Sequence, residues 1–185
     1  MNTLSINKTY KIFGPFIGKT NENGFISSDI KDQNEFWSEI ERDHPGLSTA
    51  RGCYIFAAGG TKKLTPWYVG KTNSKKRGFR SEVFDSKKLI KYHDSLNRYT
   101  NYRTIRIFLI ARTTIGGKFS KSIDEKELKW VEQYFIAAAL RKNKNLTNKS
   151  STAILKQLHI PGLIGNAGKG KGRNRSAKVL RSCLQ

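Results

Sequence analysis

The sequence predicts an α+β fold in which a small, mainly antiparallel three-stranded sheet is flanked by helices. Three observations carry that expectation. Residues 53–58 (CYIFAA) and 67–70 (WYVG) are apolar, aromatic runs separated by Gly59-Gly60-Thr61-Lys62-Lys63, the pattern of a hairpin. Residues 104–111 (TIRIFLIA) are β-branched and nearly all apolar, as a buried third strand requires. Segments 32–41 and 124–140 space their apolar residues as helices do. At 185 residues, 37% hydrophobic and 11% aromatic, the chain suits one packed domain with extensions and is too apolar for wholesale disorder.

In chain order, residues 8–28 read as short strand material around turns at Gly14, Pro15, Gly18 and Gly24. Asp32 to Glu41 comes next as a helix with Phe36, Trp37 and Ile40 on its apolar side, ended by His44-Pro45-Gly46. The sheet strands are placed at 52–58, 66–70 and 104–111. Between the second and third, residues 79–98 read as a helix with Phe79, Val83, Phe84, Leu89, Ile90 and Leu96 as apolar contacts. Asp124 to about Leu140 is the clearest helix. Asp124 can cap it, and Glu127 three residues later completes a capping-box-like pair. A short helix is expected at Ser151–Leu158, a turn at Ile160-Pro161-Gly162 and another short helix at 176–184. The chain thus divides into an N-terminal extension packing on the core (1–48), a central domain (49–164) and a Gly-rich basic tail (165–185).

Charge narrows the function. Lys and Arg number 35 against 14 Asp and Glu, a net of +21. Residues 1–43 hold five basic and seven acidic residues, so the excess lies beyond them, and no Asp or Glu comes after Glu132. A one-signed field of this size draws polyanions, and Lys and Arg bind phosphate with salt-dependent affinity. The partner expected is DNA, with RNA as the alternative target. No membrane partner is expected: the longest apolar run, Tyr134–Leu140, is too short to span a bilayer, and no basic helix with a wide apolar face is seen. The first residues show no apolar leader segment, which predicts a cytoplasmic protein. Cys53 and Cys183 form no disulfide or zinc pattern, and His44, His93 and His159 are scattered. Gly18-Lys19-Thr20 and Gly70-Lys71-Thr72 lack the upstream glycine of a phosphate-binding loop.

Gly52-Cys53-Tyr54 and Tyr68-Val69-Gly70, with thirteen residues between the tyrosines, resemble the paired tripeptides of the GIY-YIG nuclease family. Cys53 and Val69 stand where that family has isoleucine. The segments downstream of the hairpin keep the family's order: a helix after Tyr68-Val69-Gly70-Lys71, an apolar strand, a helix carrying Glu132, and Asn148 sixteen residues later. The stretch 52–148 is most similar to one bacterial-type subgroup, whose basic tail the chain shares. The resemblance implies a GIY-YIG-like fold and a divalent-metal-dependent endonuclease that hydrolyses phosphodiester bonds in DNA. It implies that Glu132 holds Mg²⁺ (or Mn²⁺) and that Tyr54 and Tyr68 position or deprotonate water. Asn148 would contact phosphate or support such a contact. The family's arginine about ten residues past the second tyrosine has no direct counterpart, because position 78 is Gly. Arg80 is the first candidate to grip the phosphate and Arg77 its competitor.

The residues themselves point the same way. At about 100° per residue, Glu132 falls some 40° from Leu128, inside the apolar stripe of its helix. A carboxylate facing a core is costly unless paired or bound to a cation. Here that means a structural salt bridge or a metal of the Mg²⁺ type. Strand alternation sets Tyr54 and Phe56 on one face and Cys53 and Ile55 on the other, so two phenols could converge across the hairpin. A free tyrosine with a pKa near ~10 is a poor base without a nearby cation. Lys71 could be that cation or bind phosphate itself. His93 reads as a surface residue. Lys169, Lys171, Arg173 and Arg175, together with Lys71 and Arg77, are the expected nucleic-acid contacts, with the tail acting as a binding arm. The rival reading is a non-catalytic nucleic-acid-binding protein on a decayed GIY-YIG scaffold.

Overall fold

The computed structural model describes residues 9–60, 63–72, 78–97, 104–114, 116–120, 123–148 and 152. Arg77, nearly all of the helix expected at 151–158, the helix expected at 176–184 and the whole basic tail lie outside the described residues. The elements run β1 (Thr9–Ile17), α1 (Ile30–Asp43), β2 (Gly52–Gly60), β3 (Lys63–Lys71), α2 (Arg80–Val83), α3 (Ser86–Asn97), β4 (Ile105–Thr113) and α4 (Glu125–Lys142).

The α+β class holds, but the sheet has four antiparallel strands, in the order β1-β4-β2-β3, where three are expected from sequence. The extra strand is β1, whose register on β4 runs from Thr9↔Thr113 to Ile17↔Arg106. Gly14-Pro15 has the composition of a turn. Instead, a bulge between Phe13 and Phe16 absorbs both residues, with Gly14 at a φ of +103°. Proline lacks the N–H that a ladder needs, and an edge strand with a bulge tolerates that loss. Without β1, β4 would expose a row of unpaired backbone groups, so the N-terminal segment completes the sheet itself.

Helix ends obey their capping chemistry. Asp29 accepts from the Lys31 N–H at 2.7 Å to start α1, and Asp124 accepts from Lys126 at 3.0 Å to start α4. Glu127, the expected capping-box partner, sends its carboxylate to the Tyr10 hydroxyl and the Arg112 guanidinium, both at 3.0 Å, tying α4 to β1 and β4. The single helix expected at 79–98 is two. Asp85 accepts from the Lys87 N–H at 3.1 Å and so opens α3 as a new helix after α2.

Both sheet faces are covered. On one, Tyr54, Phe56, Tyr68, Ile107 and Leu109 pack with Phe36, Trp37 and Ile40 of α1 and with Tyr92 of α3. On the other, Cys53, Val69 and Ile110 meet Leu128, Ile136 and Ala139 of α4. β2 therefore carries alternate residues into two cores, as its pattern predicts. No helix among the described residues is long and apolar enough to cross a membrane.

Candidate active site

The hairpin glycines are there because neighbouring atoms occupy the space a side chain would need. In the β2–β3 register Tyr54 faces Gly70, and Tyr68 faces Phe56. The Tyr54 ring lies across Gly70, where a Cβ would overlap the ring carbons and hydroxyl. A Cβ on Gly52 would strike the Ile110 carbonyl oxygen of β4. Gly70 thus opens the volume that lets Tyr54 lean toward Tyr68. The two rings sit 6.2 Å apart, tilted by 49°.

The two tyrosines differ in their surroundings. Tyr54 is fully buried, and its hydroxyl makes no well-formed hydrogen bond. The Tyr92 hydroxyl interacts with it but gives its own proton to the Val83 carbonyl at 3.0 Å. Burial first, then Tyr92 and Tyr68, hold the Tyr54 pKa well above the ordinary tyrosine value. Its hydroxyl therefore keeps its proton, and the phenolate that a general base requires is scarce. Tyr68 has a cationic neighbourhood. Lys88 Nζ donates to its hydroxyl at 3.3 Å, and Lys91 Nζ stands 4.8 Å from its ring centre. Tyr92 forms the wall behind, stacking on Phe56 at 4.2 Å.

Glu132 comes from the other side of the sheet. Because β3 is an edge strand, α3 on one face and α4 on the other both reach it. Glu132 is half-buried within the apolar stripe of α4, as its spacing predicts. It makes no hydrogen bond or ion pair among the described residues. Partial burial raises its pKa above the usual carboxylate value, opposed by Lys71, Lys88, Lys91 and Lys129 in that order. Lys71 reaches the same helix but pairs with Glu125, Nζ to Oε2 at 3.0 Å. Lys88 and Lys91, which touch Tyr68, thus also help to hold the Glu132 pKa down against burial.

Asn148 clamps the edge of β3. Its Oδ1 accepts from the Val69 N–H at 2.9 Å and its Nδ2 donates to the Val69 carbonyl at 2.7 Å. Thr147 adds its N–H and hydroxyl to the Trp67 carbonyl, and Asn143 donates to that of Pro66. The amide of Asn148 is thus spent on the backbone between Tyr68 and Gly70, which makes it a support for the hairpin. Arg80 is exposed at the start of α2 and turned to α1, its Nη2 donating to Asn34 Oδ1 at 2.8 Å. That bond directs it to α1 and not to Tyr68 or Glu132. Beside Lys71, the cations near the site among the described residues include Lys88 and Lys91, which sequence reasoning misses. Their signal is a basic pair at helical i,i+3 spacing on the polar flank of α3, next to buried Leu89 and Tyr92.

Among the described residues no group of three or more His, Cys, Asp or Glu could hold a metal ion. A single carboxylate such as Glu132, aided by waters and substrate phosphate, is a different kind of site. Its partial burial without a partner among the described residues suits such a ligand. No protein-family model, curated protein or solved structure matches the chain.

Proposed function

We propose that the protein is a metal-dependent endonuclease that hydrolyses phosphodiester bonds in DNA. One observation carries the reading: Glu132, half-buried and without a direct partner among the described residues, shares the field of the two lysines that hold Tyr68. Structural carboxylates at such depth are normally paired, and this one has no direct partner among the described residues.

The chain's own residues take these roles. Lys88 and Lys91 attract a phosphate to the Tyr68 hydroxyl, which donates to a non-bridging oxygen and orients the attacking water. Tyr54, fully buried beneath Gly70, supplies a rigid backing for Tyr68. Lys71 stays within reach of the same phosphate once it leaves Glu125. Glu132 would hold Mg²⁺ or Mn²⁺, whose chemistry when bound is to polarise the phosphate and stabilise the leaving oxygen. Positive groups fixed where charge develops are worth most in such a partly desolvated site.

The test is nicking of supercoiled plasmid with Mg²⁺ or Mn²⁺, with and without chelator, beside Glu132→Gln purified identically. Chelator-sensitive nicking lost in the variant supports the reading, and equal nicking by both preparations removes it. The second reading, a binding protein on a decayed scaffold, is favoured by Arg80, whose guanidinium turns to Asn34 of α1 rather than to the site. Tight DNA binding with no cleavage under any metal would select it.

A further inference from the structure

On the flank of α4 away from Glu132, Trp130 and Tyr134 are one turn apart and 73% and 70% exposed. They form one wall of an open apolar groove of about 360 Å³, floored by Ile110, Val131 and Phe135. Tyr10 and Ile12 of β1 form the opposite wall, with Ile12 67% exposed. The groove is built rather than incidental, since Glu127 holds the Tyr10 hydroxyl and Arg112 together from below.

The charge around it identifies the occupant. Lys126, one turn before Trp130, is exposed and forms no ion pair among the described residues, and the exposed Lys129, which also bears on Glu132, adjoins Trp130 in the chain. The acids nearby are committed: Asp124 caps the helix, Glu125 pairs with Lys71, and Glu127 serves Tyr10 and Arg112. Flat aromatic faces with exposed lysines beside them suit a ligand that is anionic along its backbone and flat along its side groups. Duplex DNA presents phosphates and the base edges in its grooves but keeps its base faces stacked out of reach, so faces and phosphates are not offered together. An unpaired strand presents both.

We infer that the Trp130–Tyr134 groove binds unpaired nucleobases of a single-stranded nucleic acid, by stacking, while Lys126 and Lys129 take the flanking phosphates. This rests on the nucleic-acid reading but not on cleavage. It extends that reading by naming the form of substrate, a duplex with a single-stranded stretch.

Tryptophan fluorescence of the full chain can test it. Of the three tryptophans, Trp37 and Trp67 are each 1% exposed, so quenching by a stacked base reports Trp130. A short oligothymidylate should quench the protein, whereas a blunt duplex should not. Trp130→Ala should abolish the quenching and weaken oligothymidylate binding, measured by anisotropy of a labelled strand, roughly tenfold or more. Tyr134→Ala should weaken it similarly, and both should leave duplex binding unchanged. Unchanged single-strand affinity in both variants overturns the inference. So does equal loss of duplex binding, or a self-associated protein in sedimentation that Trp130→Ala makes monomeric. If neither strand form binds the parent protein, the nucleic-acid reading itself fails, and this inference with it.

Discussion

Glu132 is held partly out of water and gains no direct partner among the described residues, so its charge is a cost to the fold. The native state raises its pKa above 4.5 and therefore binds more protons than the unfolded chain in the window just above that value. Stability from this group is present below about pH 4.5 and is lost as pH rises through the raised native value. In chelator, Glu132→Gln should match the parent in acid and melt at a higher temperature near neutrality. A lower melting temperature near neutrality would mean the carboxylate is a structural ion-pair member. The same variant should cut at least about 10³-fold more slowly. Tyr68→Phe loses the Lys88 contact and should slow cleavage with the fold intact. Tyr54→Phe deletes a buried hydroxyl with no well-formed bond, so its melting temperature should hold or rise. A Tyr54→Phe protein that unfolds would show that the hydroxyl is bonded. All three of these residues stand out in the sequence, because a carboxylate in an apolar stripe and paired tyrosines on one face are local patterns. Lys88 and Lys91 do not, because only tertiary packing brings α3 to Tyr68. Arg80 stands out by its distance from Tyr68 in the chain, and that spacing cannot show that its side chain turns to Asn34.

At the level of elements, the least legible strand is β1. Its Gly14-Pro15 pair mimics a turn, and nothing local announces that a bulge will absorb it. The break between α2 and α3 is legible in principle, since Asp85-Ser86 is a cap signal inside an otherwise helical run. The β2–β3 hairpin, β4 and α4 are plain from periodicity, because each buries a long apolar face. The clamp on β3 is out of reach, as Asn148 and Val69 lie far apart in the chain. Replacing Asn148 with Ala leaves the buried N–H and carbonyl of Val69 unmet. At about 1–3 kcal/mol for each unsatisfied group, the denaturation midpoint should fall clearly. If Asn148 only supports the hairpin, single-turnover cleavage by the folded variant should fall through misplacement of Tyr68, with phosphate affinity retained. A variant of full stability would show that the clamp contributes nothing.

Across the whole molecule, charge is the property that sequence reports most directly and a fold alone reports least. The net of +21 should make binding to any nucleic acid fall steeply with salt. Truncation after Ile164 removes Lys169, Lys171, Arg173, Arg175, Lys178 and Arg181. If about four to six of these neutralise phosphates, the slope of log affinity against log salt should flatten by about that number. Single-turnover rate should persist, because Tyr54, Tyr68, Lys88, Lys91 and Glu132 all precede the cut. An unchanged slope would remove the tail from the interface. The position of β2 has a further consequence for motion. It lies between β3 and β4 and is covered on both faces, so its amides cannot meet solvent through any small opening. They should exchange only when the entire domain unfolds, whereas β3, secured at its outer edge by three side chains of the 143–148 segment, can part from its neighbours at lower cost. The proposed site then has a fixed wall carrying Tyr54 and a yielding wall carrying Tyr68. Any adjustment to a bent or distorted substrate would come from the second.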